Sequence, residues 1–312
     1  MSKIIITAAI TGAIHIPAMS DYLPLTPDQI IEDAVKSWEA GAAIAHIHVR
    51  QPEDGKPTAD VNIFKEVLGG IKSRCDLVLL PTTGGGPNQT VQEKLIPVKT
   101  LKPEMCSFDP APFNLGLFEL TSRYEGKFKY DWERDYIEST RDKILMPPTL
   151  GDDMEYAKTM LEADTKPEFE LYELGHIGYV AWLMREGLVK QPPHLQFVFG
   201  PLVGWMTPSI KHLLWMYEEA VESIGKGNFT WSVAGAGRHQ ISLAATAMAM
   251  GAPNVRVGLE DSLYAGKGKQ ATSSADQVRM VVNIAKELSL EPATPDEARE
   301  ILDLKGLDKV KF

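Results

Sequence analysis

Short apolar runs alternate along this chain with stretches whose apolar residues fall at helical spacing. The runs predict strands over residues 4–9, 43–49, 77–81, 104–108, 168–172, 195–199, 229–234 and 255–260. Helix starts are marked between them. Thr26, followed by Pro27 and by Gln29 three positions on, has the form of a capping box. Thr207-Pro208 predicts another start, Ser274 with Gln277 a third, and Thr294-Pro295-Asp296-Glu297 the last. Gly41, Gly69-Gly70 and Gly251 stand where helices are expected to stop.

The repeating unit is therefore strand then helix, with no break in composition that would mark a linker. Eight such units in 312 residues close most simply into a single-domain α/β fold, a (β/α)8 TIM barrel over 1–312. A doubly wound open sheet is the alternative, but no Gly-x-Gly-x-x-Gly follows the first strand to support a dinucleotide site. The irregularity lies between strands four and five. Residues 109–166 are too many for one crossover and include Pro110, Pro112, Pro147, Pro148 and the run Tyr130-Asp131-Trp132. The regular helix is placed at 151–162, and 109–150 is expected to be an insertion, serving as a lid or a subunit contact.

Composition narrows the function. A hydrophobic fraction of 44% and a charged fraction of 24% suit a soluble globular protein, and a net charge of -10 disfavours nucleic acid and anionic membranes as partners. No apolar run reaches membrane-spanning length. Met1-Ser2-Lys3 leads directly into Ile4-Ile5-Ile6, which reads as a first strand and not as a signal peptide. Cys75 and Cys106 are too few and too far apart for a disulfide scaffold or a zinc finger, so a cytoplasmic location is expected.

Barrel enzymes place their chemistry at the C-terminal ends of strands. At the end of strand two, the run His46-Ile47-His48-Val49-Arg50 has period two, which puts both imidazoles and the guanidinium on one face. Two histidines invite a metal, and a catalytic site adds a third protein ligand from elsewhere. Arg256, Gly258 and Glu260 share a face of strand eight. In a closed barrel only strand one separates strand eight from strand two, so Glu260 is expected to join His46 and His48. Zinc suits that set, as do iron, cobalt and manganese.

Arg50 and Arg256 are expected to compensate the buried carboxylates. Glu168, Glu170 and Tyr172 share one face of strand five. Without a metal, Arg256–Glu260 would be a structural ion pair and Glu168 and Glu170 a salt-bridged layer. Asp261 is expected at the rim, as a base or as a cap for the next loop. Gly84-Gly85-Gly86 offers unobstructed amides to an anion, and Arg238, after Gly235-Ala236-Gly237, could meet a phosphate or carboxylate. His15, His176 and His239 fall in loops on the reactive face, so a further histidine ligand stays open. His194, expected on the opposite rim, and His212, in a helix, are read as ordinary. Met248-Ala249-Met250 is expected to pack a helix against the barrel.

Taken together, several segments resemble the beta-keto acid cleavage enzymes, the family that includes the 3-keto-5-aminohexanoate cleavage enzyme of lysine fermentation. They are Ile6-Thr7-Ala8-Ala9-Ile10-Thr11-Gly12-Ala13, His46-Ile47-His48-Val49-Arg50, Thr83-Gly84-Gly85, Leu101-Lys102-Pro103-Glu104-Met105, Pro167-Glu168-Phe169-Glu170-Leu171-Tyr172-Glu173 and Gly258-Leu259-Glu260-Asp261. The resemblance implies one divalent metal, usually zinc, on His46, His48 and Glu260. It implies Arg256 for the substrate carboxylate, Asp261 as general base, Glu170 as a further active-site carboxylate, and Thr82 as a hydroxyl supporting the base. It also implies a homo-oligomer, a tetramer in particular. The implied reaction is a reversed Claisen condensation, in which a 3-keto acid and acetyl-CoA give acetoacetate and a new acyl-CoA. Gly84, Gly85 and Arg238 are the candidate contacts for the acetyl-CoA cosubstrate.

The lysine-fermentation enzyme carries a glutamate for the substrate ammonium directly after Thr-Gly-Ala. Ile14 stands there in this chain, followed by His15, so a less cationic or apolar acyl group is expected. The stretch after Asp109 also reads as larger than in that enzyme. Two alternatives use the same residues: another metal-assisted hydrolase or aldolase, and a non-catalytic metabolite-binding barrel.

Overall fold

The computed structural model describes residues 2–84, 89–142 and 149–312. The barrel strands are β1 Ser2–Ala9, β2 Ile44–Ile47, β3 Val78–Pro81, β4 Met105–Phe108, β5 Lys166–Leu171, β6 His194–Phe199, β7 Thr230–Gly235 and β8 Asn254–Val257. All barrel neighbours run parallel, in two arcs ordered β8-β1-β2-β3 and β4-β5-β6-β7. β3 lies against β4 and β7 against β8, so the arcs close a ring and the open-sheet alternative falls. The outer helices follow in step: α1 Pro27–Glu39, α2 Val61–Lys72, α3 Val91–Leu101, α4 Leu150–Glu162, α5 Leu174–Arg185, α6 Ile210–Ser223, α7 Gln240–Ala249 and α8 Ser274–Glu287. A ninth, α9 Pro295–Leu302, closes the chain.

The apolar runs are long because both faces of each strand are buried. On β1, Ile4, Ile6 and Ala8 pack outward with Ile30 and Ala34 of α1. Ile5 packs instead with Ile44, Val78, Leu80 and Met105, and Ala298 and Leu302 of α9 seal that group at the N-terminal end. Above this plug the buried side chains turn polar, with Thr7, Glu168, His194, Gln196, Ser232 and Asn254 all at 0–1% exposure. The ring is thus dry at its base and polar toward its mouth.

Local signals held in part. Thr26 and Thr294 form capping boxes, and Gly41 and Gly251, at φ +111 and +84, follow helix ends. α6 starts later than Thr207-Pro208, capped by Ser209, which accepts from His212 N at 3.1 Å. Ser273, not Ser274, is the cap residue of α8, and the Ser274 amide donates to Asp33 of α1 at 3.0 Å. Gly69 and Gly70 lie inside α2, where a Cβ on Gly70 would stand 2.5 Å from Ile31 Cδ1, so any larger residue would make that side chain of α1 turn aside. β8 ends at Val257, short of residue 260, because the chain turns at Gly258. A Cβ there would lie 2.0 Å from Ala9 O.

The segment between β4 and α4 crosses the mouth of the barrel. It contains the helix Asp131–Ser139, and its Phe113, Leu115, Leu117 and Tyr136 form a second apolar cluster with Ile16, Leu259 and others. Glu133 Oε1 accepts from Ala18 N, and Tyr136 OH donates to Ala13 O, each at 2.8 Å, tying the segment to the loop after β1. Pro147 and Pro148 lie outside the described residues.

Asp153, in the first turn of α4, supports this crossing by accepting from Ala111 N at 3.3 Å. Its other oxygen is buried without a partner among the described residues, and burial pushes its carboxyl from 3.8 up to about 7. The folded state then holds the proton more tightly than the unfolded state. This contribution is fully present below pH 3.8 and is lost as pH rises through about 7. Asp153→Asn is expected to remove that part of the pH slope, read as the difference in urea midpoint between wild type and variant across the range. A pH-independent difference would contradict the assignment.

Candidate active site

His46 ends its strand's inward series and is 1% exposed, and His48 follows one residue past the end of β2. Their ring centroids are 5.2 Å apart. Glu260 arrives on the turn after β8, fixed by its amide donating to Ala9 O at 3.1 Å. Its Oε2 lies 3.4 Å from His46 Nε2 and its Oε1 3.3 Å from His48 Nε2. Gly12 makes room for it, since a Cβ there would fall 2.3 Å from Glu260 Cγ.

Both His46 nitrogens and Glu260 Oε2 are buried with no hydrogen-bond partner among the described residues. Such atoms are costly to bury unless something satisfies them. Burial drives His46 well below its ordinary pKa, which leaves it neutral with a free lone pair. Burial opposes ionisation of Glu260, but Arg256 and the two imidazoles outweigh it and lower its pKa. Two imidazoles and a carboxylate within 4.8 Å of one another are a site that can bind a divalent metal and leave a position open. His46 also belongs to a second possible cluster with Glu168 and Glu170.

Arg256 of β8 organises the remaining charge. It meets Asp261 through two bonds of 2.9 Å, Glu260 at 2.8 Å, and both Glu170 and Gln196 at 3.1 Å. Burial raises the Asp261 carboxyl to about 6 against the pull of Arg256. Burial, then Asp109, raises Glu170 well above the carboxylate range. Tyr172 OH bridges Glu170 Oε2 and Asp109 Oδ1, each at 3.0 Å. One hydroxyl proton cannot serve two ionised acceptors, so the trio shares a further proton.

Several expectations are corrected. Arg50 does not reach the carboxylates; it donates to Thr11 Oγ1 at 2.9 Å, Gly55 O at 2.8 Å, His15 O at 2.7 Å and to Gly12 O, bracing the loop after β1. Thr82 Oγ1 lies 3.3 Å from Ser107 Oγ and accepts from Gly84 N at 2.7 Å, and neither bond supports Asp261. The Gly84 amide is therefore not open to an anion. Gly85 and Gly86 lie outside the described residues. Arg238 is exposed and donates to His239 Nε2 at 3.1 Å, apart from the carboxylate cluster. His15 bonds Leu259 O at 3.0 Å and His176 accepts from Tyr172 N at 3.3 Å; neither they nor His239 joins the ligand set among the described residues. His194 is no rim residue, because β6 begins with it. It is fully buried, 2.8 Å from Thr230 Oγ1 and 3.4 Å from Glu168 Oε2. Asp109 was missed, although its place directly after β4 is where a barrel strand presents catalytic groups.

A family model described as beta-keto acid cleavage enzyme matches residues 3–304. A 3,5-dioxohexanoate:acetyl-CoA acetone transferase of Paraburkholderia graminis is 45% identical over 99% of this chain and 98% of its own. A 3-keto-5-aminohexanoate cleavage enzyme of Fusobacterium nucleatum is 38% identical over 98% of this chain and 99% of its own. The apo structure of ObcA superposes with TM-score 0.68 at 17% identity, covering 91% of this chain and 66% of that one, a likeness of fold.

Gly12 gives the site a direct test. Gly12→Ala forces Glu260 off its position, so metal affinity, measured by competition with a chelator, is expected to fall about 10-fold or more. Unchanged affinity would contradict the packing of Glu260 on Gly12.

Proposed function

We infer what this chain does from its family: it belongs to the beta-keto acid cleavage enzymes. The reaction assigned to it condenses a 3-keto acid with acetyl-CoA, giving acetoacetate and the CoA thioester of the remaining acyl fragment. The observation that carries this reading is the His46–His48–Glu260 donor set beside the Arg256–Asp261 pair in one barrel mouth.

A divalent ion held by His46, His48 and Glu260, zinc in this reading, would polarise the 3-keto oxygen and offset the charge that develops on it. Arg256 binds the substrate carboxylate, exchanging part of its present carboxylate contacts for it. Asp261 takes the proton from C2. The bond from C2 to the acetyl carbon forms as the carbon–sulfur bond breaks. The freed CoA thiolate adds to the former keto carbon, the bond from C2 to C3 breaks, and C2 recovers its proton. Thr82 and Glu170 line the wall beside His48, where they orient the keto acid. Arg238 is assigned to the CoA phosphates.

Ile14 places hydrocarbon in this cavity, and Phe113, Leu115 and Leu117 extend it. A neutral acyl chain fits that surface better than an ammonium. The Paraburkholderia relative is named for a 3,5-dioxo acid, which supports the same choice. A homotetramer is proposed as the assembly, supported by the exposed apolar Val203, Ile210, Leu214 and Trp215. No helix among the described residues is long and apolar enough to cross a membrane, and the cytoplasm is the proposed location.

The deciding experiment incubates purified, zinc-loaded protein with acetyl-CoA and a panel of 3-keto acids, following acetoacetate and acyl-CoA by mass. Neutral acids are expected to turn over fastest, and Arg256→Ala to slow every one of them by about 100-fold or more. Products formed without acetyl-CoA would favour a hydrolase or aldolase. Rapid turnover of the 5-amino acid alone would overturn the neutral-substrate reading.

A further inference from the structure

The space at the barrel mouth divides into two chambers that meet at Ile14, Trp205 and Glu260. Thr82, Glu170 and Tyr172 line only the first, which Phe113 and Leu117 of the crossing segment cover. Asp261 lines only the second, together with Gly237, and Arg123 and Tyr124 border it as well. The ligand carboxylate thus stands at the junction, with the candidate base on one side and the acyl wall on the other.

A carbon whose proton goes to Asp261 presents its reactive lobe to the second chamber. In the reaction above that carbon is C2, and the group it meets is the acetyl carbonyl of the thioester. We propose that the second chamber is the site of the acetyl-pantetheine arm of acetyl-CoA, with the thioester inward at Asp261 and the phosphates outward at Arg123, while the keto acid's acyl chain fills the first. The inference rests on the function proposed above and deepens it.

The walls match that occupant. A pantetheine arm is a thin, uncharged chain of methylenes and amides, and Met19, Leu120, Leu202 and Leu263 offer it apolar contact. Arg123 is exposed, lies 5.8 Å from the centroid of the Tyr124 ring, and pairs with no carboxylate among the described residues. Its guanidinium is free for a phosphate. Arg238 adds a second cation next to Gly237.

The division also suits the order of bond changes. When C2 takes the acetyl group, the C–S electron pair leaves with sulfur as CoA thiolate. That sulfur must then attack C3, one bond from C2. An arm held in a chamber opening on the junction leaves sulfur beside C3, so the thiolate need not leave and return. Ile14 and Trp205, shared by both walls, separate acyl chain from arm and are specificity-determining for both.

Arg123→Glu and Leu202→Trp test the assignment in the zinc-loaded enzyme. Each is expected to raise KM for acetyl-CoA about 10-fold or more while KM for the keto acid and zinc content stay as in wild type. Calorimetric titration with CoA should weaken in parallel. The Arg123→Glu defect should shrink with S-acetyl-N-acetylcysteamine, which lacks phosphates. Arg123 is on the surface, so its variant remains informative if Leu202→Trp fails to fold. Wild-type turnover with unchanged acetyl-CoA KM and CoA affinity in Arg123→Glu would overturn the chamber assignment and leave the reaction standing. A wild type that neither binds CoA nor turns over any keto acid would overturn both.

Discussion

Three carboxylates, Glu170, Glu260 and Asp261, meet the single guanidinium of Arg256 inside the barrel mouth, and their charge balance constrains everything around them. One cation cannot offset three anions. Part of the surplus is relieved at Glu170, which is driven toward its protonated form, while Glu260 faces the His46 and His48 imidazoles, and both His46 nitrogens lack a hydrogen-bond partner among the described residues. A divalent ion between those imidazoles and Glu260 would supply the missing positive charge. Removing Arg256 would leave buried charge uncompensated, a loss of about 3–5 kcal/mol in comparable settings.

The fold supplies this arrangement through closure. His46 lies on β2 and Glu260 on the turn after β8, the strands on either side of β1, and backbone bonds pin both to the end of β1: Ile10 N donates to His46 O, and Glu260 N to Ala9 O. Gly12 and Gly258 keep the approach open where any side chain would collide with Glu260 or with β1. Arg50, expected among the reacting charges, braces the loop that carries Gly12. The apolar plug under α9 closes the base, so polar groups collect at the opposite end of the ring.

Much of this was legible in the sequence because it depends on period and spacing. Strands buried on both faces read as apolar runs, and His-x-His with Glu260 needs only a period of two and a closed ring. What stayed hidden depends on contacts between distant residues. Arg50 shares its strand's face with His48, yet the carbonyls of Gly12 and His15 capture it. The family resemblance implied Thr82 as support for Asp261, but its hydroxyl meets Ser107 of the adjacent strand. His194 looked peripheral because β6 begins one residue earlier than its apolar run, which turns the ring inward toward Glu168. The division of the mouth into two chambers depends on the fold of the crossing segment, which has no periodic signature.

X-ray absorption at the zinc edge tests the central claim most directly, because it reads the donor set and not only the presence of metal. The account predicts two imidazole nitrogens and a carboxylate oxygen around one zinc per chain, one imidazole fewer in His48→Ala, and no sulfur. A shell containing cysteine sulfur, or one unchanged by loss of His46, His48 or Glu260, would contradict it.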